Sequence, residues 1–182
     1  DAVGFVFYKR SPRAVGYAQA AAIIGGLPAS VEKVGVFVNA RERTVRRTVK
    51  TCGLTMVQFH GRETPAFCSR FTGLKVIKAI RVRNAADVER ARAYRTYGVL
   101  FDSFDRKAFG GTGSRFDWGL LRPADSGPAV FLAGGLTADT VSSAVRRVHP
   151  EWVDVSSGVE VSPGYKDGRK VRAFIRAAKS GA

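Results

Sequence analysis

Two segments rich in glycine and serine each follow a short apolar run, and their residue types suit phosphate binding. One is Ala133-Gly-Gly-Leu136 and the other is Asp154-Val-Ser-Ser-Gly158. Paired glycines let backbone N–H groups approach an anion closely, and serine hydroxyls add further donors. For Gly134 and Gly135, a tight turn between a strand and a helix is the alternative explanation. Because the segments follow consecutive apolar runs, we expect Gly134, Gly135, Ser156 and Ser157 to bind phosphate.

Two other side chains could do chemistry at the ends of apolar runs. Asp102 ends the run 98–103, where a carboxyl group is costly unless it is paired or takes part in the reaction. A helix cap or a structural salt bridge is the alternative for Asp102. His60 ends another run, a position more typical of a hydrogen-bonded wall residue than of a catalyst. The two histidines and two cysteines lack ligand spacing, so we expect neither a metal site nor a Cys–His nucleophile.

Short runs rich in Val, Ile and Phe recur along the chain, and their two-sided apolar character is typical of parallel strands covered by helices. The predicted strands are Ala2–Tyr8, Lys33–Val38, Met56–His60, Val76–Val82, Gly98–Ser103, Val130–Ala133 and Val153–Ser156. Between these strands lie segments whose apolar residues recur at helical spacing. The predicted helices include Ala40–Cys52 after a capping Asn39, Ala85–Tyr94 after a capping Asn84, Thr137–Val148, and a last helix containing Val171, Phe174, Ile175 and Ala178. This alternation predicts one α/β domain, with a doubly wound sheet and a (β/α)8 barrel as the candidates.

The bulk composition excludes several classes of protein. With 182 residues, 45% of them hydrophobic, the chain can fill one domain core, and no apolar run is long enough to span a bilayer. Two cysteines do not make a disulfide framework of the secreted kind, which favours a reducing compartment. Thirty Lys and Arg against fifteen Asp and Glu give a formal charge of +15, which attracts anionic partners, although a solubilising surface explains it equally well.

An ordered set of motifs resembles the phosphoribosylanthranilate isomerase family of tryptophan biosynthesis. The resemblance covers essentially the whole chain. Its motifs are Asp1-Ala-Val-Gly-Phe-Val-Phe-Tyr8, Ser11-Pro-Arg13, Val34-Gly-Val-Phe-Val-Asn39, Val57-Gln-Phe-His-Gly61, Gly110-Gly-Thr-Gly113 with Phe116-Asp-Trp118, Ala133-Gly-Gly-Leu136 and Val153-Asp-Val-Ser-Ser-Gly-Val-Glu160. The resemblance implies a (β/α)8 TIM barrel. It also implies an Amadori rearrangement of N-(5′-phosphoribosyl)anthranilate to 1-(2-carboxyphenylamino)-1-deoxyribulose 5-phosphate.

The resemblance also assigns roles to individual residues. Asp102 would be the general acid that protonates the ribose ring oxygen. Arg13 would hold the anthranilate carboxylate, a task suited to a guanidinium. Gly134, Gly135, Ser156 and Ser157 would bind the phosphate, and Asp154 and His60 would line the substrate pocket. The family further implies a cytoplasmic enzyme, monomer or homodimer, that takes a small phosphorylated substrate and needs no cofactor, metal or membrane.

One departure from the family pattern affects the general base. Family members begin with a further βα unit, whose strand carries a Lys-x-Cys-Gly-Leu/Ile-Thr motif with the general-base cysteine. This chain starts where the second strand is expected, so we expect residues 1–182 to form seven of the eight units, as a single domain with poor or no turnover. Lys50-Thr-Cys52-Gly-Leu-Thr55 imitates the motif. It lies at a predicted helix end, however, so we do not expect Cys52 to be the base.

Two alternatives remain open from the sequence. A ketol isomerase could also serve the analogous histidine-pathway substrate, although that substrate carries two phosphates and one phosphate-binding region is evident here. A non-catalytic domain that binds nucleic acid or other anions would explain the positive charge, but no alternation of basic and aromatic residues supports it. Nucleic acid is therefore not an expected partner.

Overall fold

The computed structural model describes residues 1–103, 117–121 and 127–181. They form two compact units, one of residues 1–79 with 95–97 and the other of residues 80–94 with 98–182. Among the described residues, none of the helices combines the length and the apolar character that a membrane span requires.

The first unit is built on parallel strands in the order β1-β2-β3-β4. The bounds are β1 Ala2–Val6, β2 Glu32–Phe37, β3 Met56–Phe59 and β4 Lys75–Val82, and the last three residues of β4 belong to the second unit. All four residues of β3 are buried, as its two-sided apolar sequence predicts. Val34 aligns with Met56, and Met56 with Lys75, which brings the carboxyl ends of these strands to one edge.

Three helices accompany these strands: α1 Tyr17–Gly25, α2 Glu42–Cys52 and α3 Pro65–Cys68. The predicted cap of α2 is wrong, because Arg41 occupies the cap position while Asn39 has a positive φ of 51° in the preceding loop. The predicted end is confirmed, since Gly53 follows Cys52 with a φ of 69°. Helix α1 was not predicted, because its alanine-rich sequence lacks a distinct polar face, and α3 is too short to show a period.

The second unit has parallel strands in the order β5-β6-β7, namely Gly98–Ser103, Ala129–Leu132 and Trp152–Val153. Its helices are α4 Ala85–Ala91, α5 Ala138–Val148 and α6 Gly168–Ser180. The predicted cap of α4 is confirmed, because the Asn84 side chain accepts hydrogen bonds from the backbone of Ala86 and Asp87. Leu132, Val141 and Ala144 have no exposed surface and form the centre of this unit's core.

Residues 160–166 form an antiparallel hairpin that the sequence analysis did not predict. Its strands are β8 Glu160–Ser162 and β9 Tyr165–Lys166, and Gly164 turns between them with a φ of 89°. The Pro163-Gly164 pair is a recognisable turn signal, but the flanking strands are too short to show alternation. Short 3-10 helices lie at Trp118–Leu120 and Ser157–Val159.

The alternation of parallel strands and helices is confirmed, and most predicted strand bounds are within one or two residues. Strand β7 is the exception, because it ends at Val153 rather than at Ser156. Asp154 and Ser156 therefore lie in the loop after the strand, where their side chains are not committed to alternate faces of a sheet. Because β7 ends earlier than predicted, both residues lie among the loops at the carboxyl end of the second unit's strands.

Candidate active site

Asp102 lies at the end of β5 and is only 5% exposed, as the sequence analysis expected. The preceding residue, Phe101, accepts a hydrogen bond of 2.9 Å from the Ala133 backbone N–H. This bond ties the end of β5 to the end of β6. A carboxyl group held at this depth has a fixed position, which a proton donor to a specific substrate atom requires.

Gly134 and Gly135 form the first turn after β6, and both have left-handed backbones, with φ of 89° and 65°. A Cβ at Gly134 would come within 2.5 Å of the Ser103 backbone nitrogen. Glycine is therefore required at Gly134 for two reasons, its conformation and the close approach of β5. Helix α5 begins a few residues later, at Ala138, and backbone N–H groups in a turn that leads into a helix are a common feature of anion-binding sites.

Ser156, Ser157 and Gly158 continue the loop after β7 and lead into the 3-10 helix 157–159. Gly158 packs so closely on the Leu136 carbonyl oxygen that no Cβ would fit there. The loop after β7 therefore lies directly against the loop after β6. The second unit thus brings together the end of β5 and both segments predicted to bind phosphate.

Asp154 is the first residue after β7, and its backbone N–H donates to the Leu132 carbonyl oxygen at 2.8 Å. Asp154 is exposed, whereas Ser156 and Ser157 are half-buried. Asp154 therefore lies at the solvent side of the same loop.

Lys166 is a functional candidate that the sequence analysis missed. Its Nζ donates to the Ser156 carbonyl oxygen at 3.1 Å, to Ser156 Oγ at 3.4 Å and to Glu160 Oε1 at 2.9 Å. The hairpin 160–166 brings Lys166 back to Ser156, ten residues earlier in the chain. A prediction of that hairpin from Pro163-Gly164 would have indicated this contact.

Arg13 and His60 belong to the first unit. Arg13 is half-buried in the segment after β1, where its backbone N–H donates to Ser11 Oγ at 3.1 Å. The His60 backbone N–H donates to the Phe37 carbonyl oxygen at 2.8 Å, which fixes His60 beside the end of β2. The Gln58 side-chain nitrogen lies 3.0 Å from His60 Nδ1. This contact orients the imidazole ring of His60.

The sequence analysis also missed a buried ion pair in the first unit, between Lys78 and Glu63. Lys78 Nζ lies 2.9 Å from Glu63 Oε2, and the two side chains are 2% and 3% exposed. Lys78 also donates to the carbonyl oxygens of Phe59 and Gly61, while Glu63 accepts from the backbone N–H groups of Asn39 and Gly61. Lysine inside an apolar strand is the one signal that the sequence offered, since burial of a charge requires a partner.

Cys52 lies at the end of α2, as predicted, and its Sγ is 3.6 Å from the Tyr17 carbonyl oxygen of α1. Burial raises the pKa of the Cys52 thiol above its ordinary value, which disfavours the thiolate that a general base needs. Burial likewise raises the pKa of Cys68 to about 11. The position of Cys52 at the end of α2 and against α1 agrees with the interpretation that it is not the base.

Part of the sequence motif set lies outside the described residues, namely Gly110-Gly-Thr-Gly113 and Phe116. Within the described ranges there is no cluster of three or more metal-ligating side chains.

The fold and these loops define an α/β enzyme with its polar residues at the carboxyl ends of parallel strands. Residues 1–177 match the family described as N-(5′-phosphoribosyl)anthranilate isomerase. The chain is 48% identical over 181 residues to the N-(5′-phosphoribosyl)anthranilate isomerase of Pelobacter propionicus, with 98% of this chain and 85% of that protein covered.

Solved structures agree with the family match. The phosphoribosylanthranilate isomerase of Thermotoga maritima superposes with a TM-score of 0.92 at 41% identity, covering 98% of this chain and 88% of that one. A second isomerase structure, in complex with reduced 1-(o-carboxyphenylamino)-1-deoxyribulose 5-phosphate, gives a TM-score of 0.84 at 38% identity, with coverage of 98% and 87%. The chain belongs to the N-(5′-phosphoribosyl)anthranilate isomerase family.

Proposed function

We propose that the chain carries out the Amadori rearrangement of N-(5′-phosphoribosyl)anthranilate in tryptophan biosynthesis through the residues described above. The observation that carries the proposal is the convergence of three strand ends in the second unit. A Cβ on Gly134 would strike Ser103, and Gly158 packs on Leu136. A buried carboxyl group and two donor-rich loops therefore lie at adjoining strand ends, the arrangement that an acid-catalysed reaction of a sugar phosphate requires.

Gly134, Gly135, Ser156 and Ser157 bind the substrate phosphate in this proposal. The two left-handed glycines carry no side chain, so a phosphate can approach their backbone N–H groups, and the serines add hydroxyl donors. Hydrogen bonds from fixed donors to a phosphate hold the substrate at one end without covalent chemistry. The reacting sugar carbons then occupy one position relative to Asp102.

Asp102 is the general acid that donates its proton to the ribose ring oxygen and opens the ring. Protonation makes that oxygen a better leaving group, and the anilino nitrogen lone pair forms the C=N bond of the Schiff base as the C1′–O bond breaks. Transfer of the C2′ proton to a general base, a role that we assign to none of residues 1–182, then gives the enol amine, which tautomerises to the ketose. The burial of Asp102 at the end of β5 supports this role, because it fixes the donor and excludes competing water.

Arg13 binds the anthranilate carboxylate, and His60 and Asp154 contact the substrate. The guanidinium of Arg13 matches a carboxylate in shape and charge. The contact between the Gln58 side chain and His60 Nδ1 orients the imidazole ring, which supports a role for His60 in lining the substrate pocket. The exposed Asp154 at the rim of the β7 loop suits a contact with substrate hydroxyl groups.

The remaining features of the proposal concern the whole protein. We place residues 1–182 in one (β/α)8 barrel domain and the protein in the cytoplasm. A homodimer is one proposed state, since a matched structure is of monomers generated from a dimeric Thermotoga maritima isomerase.

The test is conversion of N-(5′-phosphoribosyl)anthranilate, with the product identified, by the protein and by its Asp102→Asn variant. Enzymes accelerate reactions by about 10⁶-fold or more, while loss of one general acid or base costs about 10²–10⁴-fold. Loss of the general base alone would therefore leave an acceleration of about 10²-fold or more, so we expect conversion above the buffer blank. Asparagine keeps the shape of the side chain but lacks the acidic proton, so the rate should fall by about 10²–10⁴-fold. An unchanged rate would exclude Asp102 as the acid.

A further inference from the structure

The hairpin that follows the phosphate loop returns a cation to that loop. Lys166 Nζ lies 3.1 Å from the Ser156 carbonyl oxygen and 3.4 Å from Ser156 Oγ. The four residues assigned to the phosphate carry no formal charge. Lys166 is thus a cation in direct contact with one of them.

The contact with Ser156 Oγ fixes the direction in which that hydroxyl group can donate. An ammonium group has three donors and no acceptor, so Ser156 Oγ must accept from Lys166. The hydroxyl proton of Ser156 therefore points away from Lys166 and remains available to an anion. A hydroxyl group that accepts from a cation is also polarised, which strengthens its own donation.

Glu160 holds Lys166 in place. Its side chain is 4% exposed, whereas that of Lys166 is 44% exposed, and the two are joined at 2.9 Å. Glu160 Oε1 also accepts from the Gly164 backbone N–H at 3.2 Å, and Lys170 Nζ donates to the Glu160 carbonyl oxygen at 2.9 Å. The buried carboxylate anchors both the hairpin turn and the ammonium group, so the position of Lys166 does not depend on a bound ligand.

We propose that Lys166 is a positioning residue of the phosphate site, where its ammonium group commits the Ser156 hydroxyl to donate to the substrate phosphate. Lys166 acts through Ser156, since contacts with the Ser156 carbonyl oxygen, Ser156 Oγ and Glu160 Oε1 account for the three donors of its ammonium group. This inference rests on the proposed function, in which Ser156 binds phosphate. It goes further by assigning a partner and a direction to that hydroxyl group.

The test is a double-mutant cycle on ligand binding measured by calorimetry. The probes are inorganic phosphate and reduced 1-(o-carboxyphenylamino)-1-deoxyribulose 5-phosphate. Lys166→Met keeps the aliphatic chain but removes all donors, and it should weaken both probes by about tenfold. Ser156→Ala should weaken them by a similar factor. Because Lys166 acts through Ser156, the double variant should bind no more weakly than Ser156→Ala alone.

Two further variants separate this role from general charge and from folding. Lys179→Met removes one exposed positive charge from α6 and should change neither affinity by more than about twofold. Lys166→Arg keeps the charge and donors and should recover most of the lost affinity. Urea unfolding of each variant reports whether the fold is retained. If Lys166→Met does not fold, Lys166→Gln, which removes the charge but keeps a polar side chain, takes its place in the cycle.

The outcomes are distinct. Equal affinities in Lys166→Met and Lys179→Met would overturn the inference, and so would additive losses in the double variant, because Lys166 would then act independently of Ser156. If the unaltered protein binds neither probe, the proposed function fails, and this inference fails with it. Binding by the unaltered protein with no effect of Lys166→Met overturns this inference alone.

Discussion

The ammonium group of Lys78 lies 2.9 Å from the carboxylate of Glu63, and both side chains are almost completely buried. Each partner of this ion pair also forms hydrogen bonds with the backbone. Glu63 also accepts from two backbone N–H groups, and Lys78 donates to two carbonyl oxygens. These bonds join the residues that follow β2 and β3 to strand β4. The pair therefore fixes the loop that begins with His60.

Removal of one partner of this pair should be strongly destabilising. Lys78→Met leaves the Glu63 carboxylate buried without its counter-ion, at an expected loss of about 3–5 kcal/mol in the free energy of unfolding. Lys78→Met combined with Glu63→Leu removes both charges and should lose less than Lys78→Met alone. Urea unfolding curves of the three proteins measure these differences.

The surface pair Lys75–Glu32 provides the matched control for this prediction. Its atoms lie 2.6 Å apart, but Lys75 is 46% exposed, so Lys75→Met should lower the free energy of unfolding far less than Lys78→Met does. Equal losses for Lys75→Met and Lys78→Met would contradict the role given to burial.

Gly134→Ala should abolish phosphate binding and destabilise the second unit. The residue has a φ of 89°, and its new Cβ would lie 2.5 Å from the Ser103 nitrogen, so the loops after β5 and β6 would have to separate. Gly73 has a φ of 83° with nothing within 4 Å of its added Cβ. Gly73→Ala should therefore lower the free energy of unfolding only through the strain of its left-handed backbone, by about 1–2 kcal/mol. Calorimetry with inorganic phosphate and urea unfolding should distinguish the two variants. Equal effects of Gly134→Ala and Gly73→Ala would contradict the close approach of Gly134 to Ser103.

The buried thiol of Cys68 should make stability fall in alkaline solution. Its pKa is raised to about 11 in the folded state because burial disfavours the thiolate. Between about pH 9 and 11 the folded protein keeps a proton that the unfolded chain releases, so the free energy of unfolding decreases as pH rises. Cys68→Ala should show a smaller decrease from about pH 7 to about pH 10 by urea unfolding. Identical decreases in both proteins would show that Cys68 does not contribute.

Arg13→Met should separate recognition of the two ends of the substrate. The variant loses the cation proposed for the anthranilate carboxylate, so affinity for the reduced analogue should fall by about tenfold or more. Affinity for inorganic phosphate should stay unchanged, because that probe has no carboxylate. Calorimetry on both ligands measures the difference. A parallel loss of phosphate affinity would mean that Arg13 acts on the phosphate or on the fold.

Local sequence signals predicted most of the parallel strands and the longer helices. Strand β3 was recognisable because three of its four residues, Met56, Val57 and Phe59, are apolar. Helix α5 was recognisable because its apolar residues Val141, Ala144, Val145 and Val148 follow one helical face. Helix α1 escaped because alanines on all sides conceal its period, and only Ala20 is buried. The hairpin 160–166 escaped because its strands are two and three residues long.

The site was predictable where chemistry sits directly at a strand end, as with Asp102 and Gly134. It was not predictable where a contact depends on the path of the chain between elements. Lys166 meets Ser156 only because a hairpin reverses the chain, and Glu63 meets Lys78 only because β3 and β4 are neighbours. No local period carries such information, since both pairs are set by tertiary packing.

The most direct test of the proposed function is a calorimetric titration of the protein with reduced 1-(o-carboxyphenylamino)-1-deoxyribulose 5-phosphate, in the presence and absence of inorganic phosphate. Binding does not require turnover, so the result depends only on the site. The account predicts one molecule bound per chain, competition by inorganic phosphate, and loss of binding in Gly134→Ala. Failure to bind, or binding that neither phosphate nor Gly134→Ala affects, would contradict it.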